Sequence, residues 1–339
     1  MTTFHILNFG CRASQADGAA LKQQLLQAGL QEVSCVEESA VAILNTCTVT
    51  ASADAEVRQF VRRIHRRNPQ CRILVTGCYA QRAPKEIAQL EGVGWVVGNS
   101  HKHLVGALLA PGRAEESGDR VIGRSGEQQE EASFTAVCSS QSGKPLVQIH
   151  NSIQGDQWRV TSDEQAVRSP NHQATRPPDS PQVLVGEIKE EFHFAPVFAD
   201  DRTRPTLKIQ DGCDARCSFC VIPSVRGQSR SLPPEKVLEQ VKQLVDAGYQ
   251  EVVLSGINLG GYGRDLDRRI NFLGMVERIL SETSVARIRI SSIEPMDTSP
   301  ALIRLVATEP RMAQHFHVPL QSGCDRILRL MNRRYWTRH

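Results

Sequence analysis

Apolar residues along this chain fall into two rhythms. Short runs of strand length, TFHILNF (3–9), AVAILNT (40–46), CRILVTG (71–77) and WVVG (95–98), alternate with stretches where apolar positions recur at helical spacing. Those stretches predict helices over 14–29, 51–68, 84–90 and 100–109. Ser14, with Asp17 three residues on, reads as the cap of the first helix and Gly29 as its stop, while Pro69 ends the second. Strands alternating with helices predict a mainly parallel sheet covered on both faces.

The rhythm stops near residue 111. Over 111–182 Ser, Gln, Gly, Glu and Pro dominate and periodicity vanishes, which reads as a linker or disordered insertion. Order returns from about 183. TLKIQ (206–210), EVVLSG (251–256), ARIRISS (286–292) and HFHVPL (315–320) are strand runs, and each precedes a helical pattern, the last over 325–334. Four β-then-α units predict a (β/α) barrel or part of one. The expected fold class is α/β: an N-terminal open parallel sheet domain (1–110), a linker (111–182) and a partial (β/α) barrel (183–339).

Length and composition narrow the setting. At about 100–200 residues per domain, 339 residues allow two. No apolar run approaches the roughly 18 residues of a membrane span, and MTTFHILNFGCRAS has neither a basic start nor a long apolar core. No membrane association is expected, and the expected place is the cytoplasm. There thiols stay reduced, so the ten cysteines are not read as disulfides, and those in loops become metal or catalytic candidates. Net charge is only +3, yet 32 of the 40 basic residues are Arg, a side chain suited to phosphate. Arg58, Arg62, Arg63, Arg66 and Arg67 share one helix; Arg326, Arg329, Arg333, Arg334 and Arg338 crowd the last residues. Both groups are candidate phosphate contacts.

The densest chemistry is DGCDARCSFCVIP (211–223), where Cys213, Cys217 and Cys220 follow a strand at C-x3-C-x2-C spacing. Spacing alone suits a structural zinc or an iron–sulfur cluster with one iron left open. A second set is dispersed. Cys11, Cys47 and Cys78 each lie just past the C-terminal end of a predicted strand, the edge where open parallel sheets bind ligands. Cys35 and Cys71 lie outside such loops and read as packing residues, and Cys138 as an uninvolved thiol.

The C-x3-C-x2-C loop, with Phe219 one place before its last cysteine, resembles the radical S-adenosylmethionine (SAM) superfamily. That resemblance implies a [4Fe-4S] cluster on Cys213, Cys217 and Cys220, taken as the catalytic set. Its fourth iron would be chelated by SAM, whose cleavage yields a 5′-deoxyadenosyl radical. It also implies SAM contacts at Ser255, Gly256 and Asn258 in LSGINLGGYG and at Ser291, Ser292 and Glu294 in SSIEP. Read without the resemblance, these segments are a tight turn and a helix entry.

Together with NFGCRASQADG, NTCTVTASAD, VTGCYAQRAP and HVPLQSG, the chain resembles the methylthiotransferases within that superfamily over most of 1–110 and 183–335. Two [4Fe-4S] clusters are then implied, the auxiliary one on Cys11, Cys47 and Cys78. The implied activity is insertion of a methylthio group at C2 of N6-threonylcarbamoyladenosine beside the tRNA anticodon. An electron donor such as flavodoxin or ferredoxin, and a sulfur donor, are implied partners. Related branches act on isopentenyladenosine in tRNA or on a ribosomal protein aspartate. Against the family pattern, the barrel is expected to lack its last strands and a C-terminal tRNA-gripping domain, the 111–182 segment is long, and Cys324 replaces a usual Ser. A truncated fragment that holds clusters without turnover, or a structural zinc protein that binds RNA, are the alternatives.

Overall fold

In the computed structural model the described residues are 2–48, 50–110, 180–188, 203–266 and 270–339, with the backbone alone of 148–150 and 159–161. Most of the 111–182 segment, with Cys138, lies outside them. The first half runs β1 (Thr3–Asn8), α1 (Arg12–Gln27), β2 (Gln31–Glu32), β3 (Val41–Thr46), α2 (Ala51–Arg67), β4 (Arg72–Gly77), α3 (Cys78–Arg82), α4 (Pro84–Ala88), β5 (Val93–Val97) and α5 (Val105–Leu109). β6 (Gln148–His150) and β7 (Arg159–Thr161) form an antiparallel pair, and β8 (Gln182–Leu184) follows. The second half runs β9 (Thr206–Asp211), α6 (Ile222–Arg226), β10 (Arg230–Ser231), α7 (Pro234–Asp246), β11 (Glu251–Gly256), α8 (Phe272–Glu282), β12 (Arg287–Ile290), α9 (Pro300–Thr308) and α10 (Asp325–Leu330).

The first sheet has the order β2-β1-β3-β4-β5-β8, and every neighbouring pair is parallel. Central β3 is buried at all six positions, apolar from Val41 to Leu44 and polar at Asn45 and Thr46, as in a strand covered on both faces. The strand order reverses between β1 and β3, which opens a crevice at their C-terminal ends. β8 comes from beyond residue 182 yet pairs with β5, so this sheet takes its last strand from the stretch expected to begin the barrel. The second sheet has the order β10-β9-β11-β12; β9, β11 and β12 are parallel and β10 is antiparallel. Thr50, Asn271 and Ser299 cap α2, α8 and α9 through their side-chain oxygens.

The α/β class and the parallel sheets agree with the alternating pattern. Two local expectations do not hold. HFHVPL (315–320) is not a strand: its backbone pairs with the sheet through the isolated Ser292–His317 bridge, with Met312 bridging Ile288 just before it, while Phe316 packs on the core. Pro319 has no N–H to donate, and Leu320 is 65% exposed, so no layer rewards pairing there. Ser14 does not cap α1. The helix begins two residues earlier, and Ser14 and Asp17 are both buried within it.

Leu44 is fully buried in β3 among Val57, Val61, Ile73 and Val75. Leu44→Ala is expected to lower unfolding free energy by about 2–5 kcal/mol, read as a lower urea midpoint at unchanged slope.

Candidate functional site

The N-terminal cysteines collect at the crevice between β1 and β3. Cys11 leaves β1, Cys47 leaves β3, and Cys78 opens α3 after β4. Two glycines make the approach feasible. Gly10 has φ +101, and a Cβ there would sit 2.3 Å from Cys47 Cβ. Gly77 has φ +100, and a Cβ there would meet the Thr46 carbonyl at 2.3 Å. A side chain at either position would both strain the backbone and push the cysteine loops apart. Cys47 and Cys78 are buried and Cys11 is exposed. Although Cys11 as a residue is exposed, its sulfur is partly desolvated; a hydrogen bond from Cys47, supported by the charge of Arg226 and by Ser14, outweighs that and pulls the thiol down to about 5. Asn99 donates to Cys78 Sγ (3.5 Å) and to the Val225 carbonyl (2.8 Å), linking this triad to the second half of the chain.

The second triad lies in the loop after β9. Cys220 N–H donates to the Cys217 carbonyl (3.1 Å), and Cys213, Cys217 and Cys220 are all half-buried. Burial raises the Cys213 and Cys217 thiols. Asn258 reaches this loop: Nδ2 lies 3.8 Å from Cys213 Sγ, and its backbone N–H donates to Gln210 Oε1 (2.7 Å). Asn258 Oδ1 is buried with no partner among the described residues. Gly256 leaves space for Gln210, whose Oε1 would lie 2.9 Å from an added Cβ. Arg333 donates to Glu294 (2.9 Å) and stacks 5.2 Å from the centre of the Phe219 ring, itself 58% exposed. Burial pushes Glu294 above the ordinary carboxylate range despite Arg333.

The residues after α10 brace the loop. Met331 O accepts from Ser218 N–H (3.1 Å), Asn332 donates to the Arg216 carbonyl (2.5 Å) and Arg334 to that of Asp214 (2.8 Å). Arg333 and Arg334, both among the expected phosphate contacts, also make these contacts at the site. Arg58 is held by Tyr79 and Glu86, whereas Arg62, Arg63, Arg66 and Arg67 are exposed on α2. Of the expected SAM contacts, Asn258 stands beside the cysteine loop and Glu294 beside Arg333. Ser255 and Ser291 are buried, and Ser292 is bound to His317 (2.6 Å).

Between the triads lies an ion cluster that the sequence did not announce. Arg226 donates to Asp17 (2.9 Å) and to both oxygens of Asp211 (3.0 and 3.1 Å). Lys208 binds Asp17 and also Asp211 (2.7 Å); Lys102 binds Asp17 and Asn45, each at 3.2 Å. Burial pushes Asp17 up, but Lys102, Lys208 and Arg226 together outweigh it and hold the carboxyl well below its ordinary range. Burial likewise opposes ionisation of Asp211, yet Arg226 and Lys208 hold it at about 2. The only hint in the sequence is Lys208 and Asp211 at i,i+3 on one strand; Asp17 is 191 residues from Lys208.

Each triad offers three cysteine thiols, the donor type that iron–sulfur clusters take. The orphaned Asn258 acceptor beside Cys213 provides for a further donor.

Comparison with known proteins gives the same division. The pattern of "Uncharacterized protein family UPF0004" matches residues 3–98 and that of the "Radical SAM superfamily" residues 207–338. Threonylcarbamoyladenosine tRNA methylthiotransferase MtaB of Bacillus subtilis is 33% identical over 98% of this chain and 60% of its own length. The Treponema pallidum protein of that name is 32% identical over 99% and 69%. The tRNA-2-methylthio-N(6)-dimethylallyladenosine synthase of Moorella thermoacetica is 30% identical over 99% and 63%. The chain thus spans 60–64% of the length of the first two curated relatives it matches. A radical SAM methyltransferase structure, TsrM from Kitasatospora setae, shares the fold at TM-score 0.52 and 15% identity, covering 94% of this chain and 59% of that one. No helix among the described residues is long and apolar enough to cross a membrane.

Asp17→Asn leaves three buried cations with one carboxylate and is expected to cost about 3–5 kcal/mol in denaturant titrations. Because the folded-state pKa of Asp17 is depressed, its contribution is full above the unfolded value of about 3.9 and is lost as pH falls below it. Wild-type stability should therefore drop below about pH 4, with a shallower drop in Asp17→Asn.

Proposed function

The chain belongs to the radical SAM methylthiotransferase family, and from that premise we propose that it inserts a methylthio group at C2 of N6-threonylcarbamoyladenosine in tRNA. The observation that carries this reading is the pair of cysteine triads, each at the C-terminal edge of a parallel sheet and joined through one buried junction. The choice of base follows the first two curated relatives, threonylcarbamoyladenosine enzymes at 33 and 34% identity; others of that name stand at 29–32%, a range that includes the 30% of the dimethylallyladenosine enzymes of Moorella thermoacetica and Hydrogenobaculum.

Cys213, Cys217 and Cys220 would hold the cluster that binds SAM, and Cys11, Cys47 and Cys78 an auxiliary one. With both clusters and SAM bound, the site supplies a hydrogen-abstracting radical and a sulfur source, which side-chain acid–base chemistry cannot. Asn258 offers its buried Oδ1 as acceptor for the SAM ammonium, next to Cys213. Arg333 fixes Glu294 and covers Phe219, so both keep their places beside the loop. The face of α2 that carries Arg63, Arg66 and Arg67 offers phosphate contacts for tRNA. A flavodoxin- or ferredoxin-type reductant and a sulfur donor complete the partners.

Anaerobic reconstitution is expected to give about eight irons per chain, falling to about four when either triad is replaced by alanine. Chromatography with mass spectrometry of tRNA from cells lacking the endogenous enzyme should then show the methylthio nucleoside only when both triads are intact. Methylthiolation of dimethylallyladenosine alone would reassign the substrate, and about four irons in the intact protein would sink the two-cluster reading.

A further inference from the structure

Arg226 heads the fully buried side chains by size, and its donors are unequally used. Nη1 and Nη2 serve Asp211 and Asp17, while Nε is buried with no partner among the described residues. A buried charged donor without an acceptor is costly, so the pocket is shaped for an acceptor that protein atoms do not provide. The neighbourhood identifies that acceptor. Arg226 Nη2 holds Asp17, five residues into the helix that begins at the loop of Cys11. Independently, Asn99 spans from the carbonyl of Val225 to Cys78 Sγ, which pins the end of α6 against the N-terminal triad.

Charge points the same way. Arg226 binds Asp17 of α1, the helix that begins beside Cys11, and so brings a buried positive charge to the N-terminal triad. An iron–sulfur cluster on thiolates is anionic, its sulfurs accept hydrogen bonds, and its potential follows both local charge and those bonds. We propose that Arg226 is a positioning residue for the auxiliary cluster: its Nε–H donates to a sulfur there, and its positive charge raises that cluster's reduction potential. This rests on the two-cluster reading above and goes beyond it by assigning the junction a redox role.

The test uses the full chain carrying Cys213→Ala, Cys217→Ala and Cys220→Ala, so that only the N-terminal triad is loaded. Arg226→Lys keeps the charge but lacks the Nε donor; Arg226→Gln lacks both. Anaerobic mediator titration followed by electron paramagnetic resonance reads the one-electron potential. Arg226→Lys should make reduction about tenfold less favourable, ~59 mV more negative, with Arg226→Gln lower still. In the complementary background, Cys11→Ala, Cys47→Ala and Cys78→Ala, the remaining cluster should keep its potential. Unchanged potentials, or equal shifts of both clusters, would overturn the proposal, the second because it marks a general loosening of the junction. If Arg226→Gln does not fold, Arg226→Lys decides alone. Failure of the Arg226-intact parent to bind iron at the N-terminal triad would instead overturn the two-cluster reading, and this inference with it.

Discussion

The buried ion pairs of Asp17 with Lys208 and Arg226 are the constraint on which the arrangement of the molecule depends. Asp17 belongs to α1 of the first sheet; Lys208 and Asp211 belong to β9 and Arg226 to α6 of the second. Within its own half Asp17 meets Lys102; the closer partners, Lys208 and Arg226, come only when the two halves meet, and they complete the compensation for its removal from water. The same contact sets the separation of the cysteine loops. α1 begins at the loop of Cys11, β9 leads straight into that of Cys213, and the ion cluster fills the space between.

Around that junction, small backbone features determine how the thiols are presented. Gly10 and Gly77 take up left-handed φ values and vacate the volume through which Cys47 and the β3 carbonyl approach. On the other side, the loop of Cys213, Cys217 and Cys220 has little regular structure of its own. It is held by Gln210 and Asn258 from beneath and by residues 331–334 from beyond α10. The site therefore depends on residues more than 100 positions from the cysteines they support.

Much of the α/β layering could be read from apolar periodicity, because a strand buried on both faces has few ways to look in sequence. β3 and β4 appeared as apolar runs for that reason. The run HFHVPL looked alike and is not a strand, since apolarity does not create a partner: Pro319 cannot donate, and Leu320 finds no covering layer. Ser14 and Asp17 matched a capping pattern, but a carboxylate that meets three cations gains more than it would from a free helix amide. Arg333 could be read only as one charge in a basic tail; the fold turns it onto Glu294 and the ring of Phe219, while Arg334 stays exposed and reaches the loop by one hydrogen bond.

By itself the sequence determined the two cysteine sets, the strand ends that carry them, the parallel sheets and the family, because these depend on residue type and local spacing. Only the tertiary structure decided the buried junction of Asp17, Lys102, Lys208, Asp211 and Arg226, the placement of Asn99 and Asn258 against sulfur, and the bracing of the second loop. The reason is physical: the cost of burying a charge or leaving a donor unpaired is set by which distant groups arrive beside it, and no local pattern encodes that meeting.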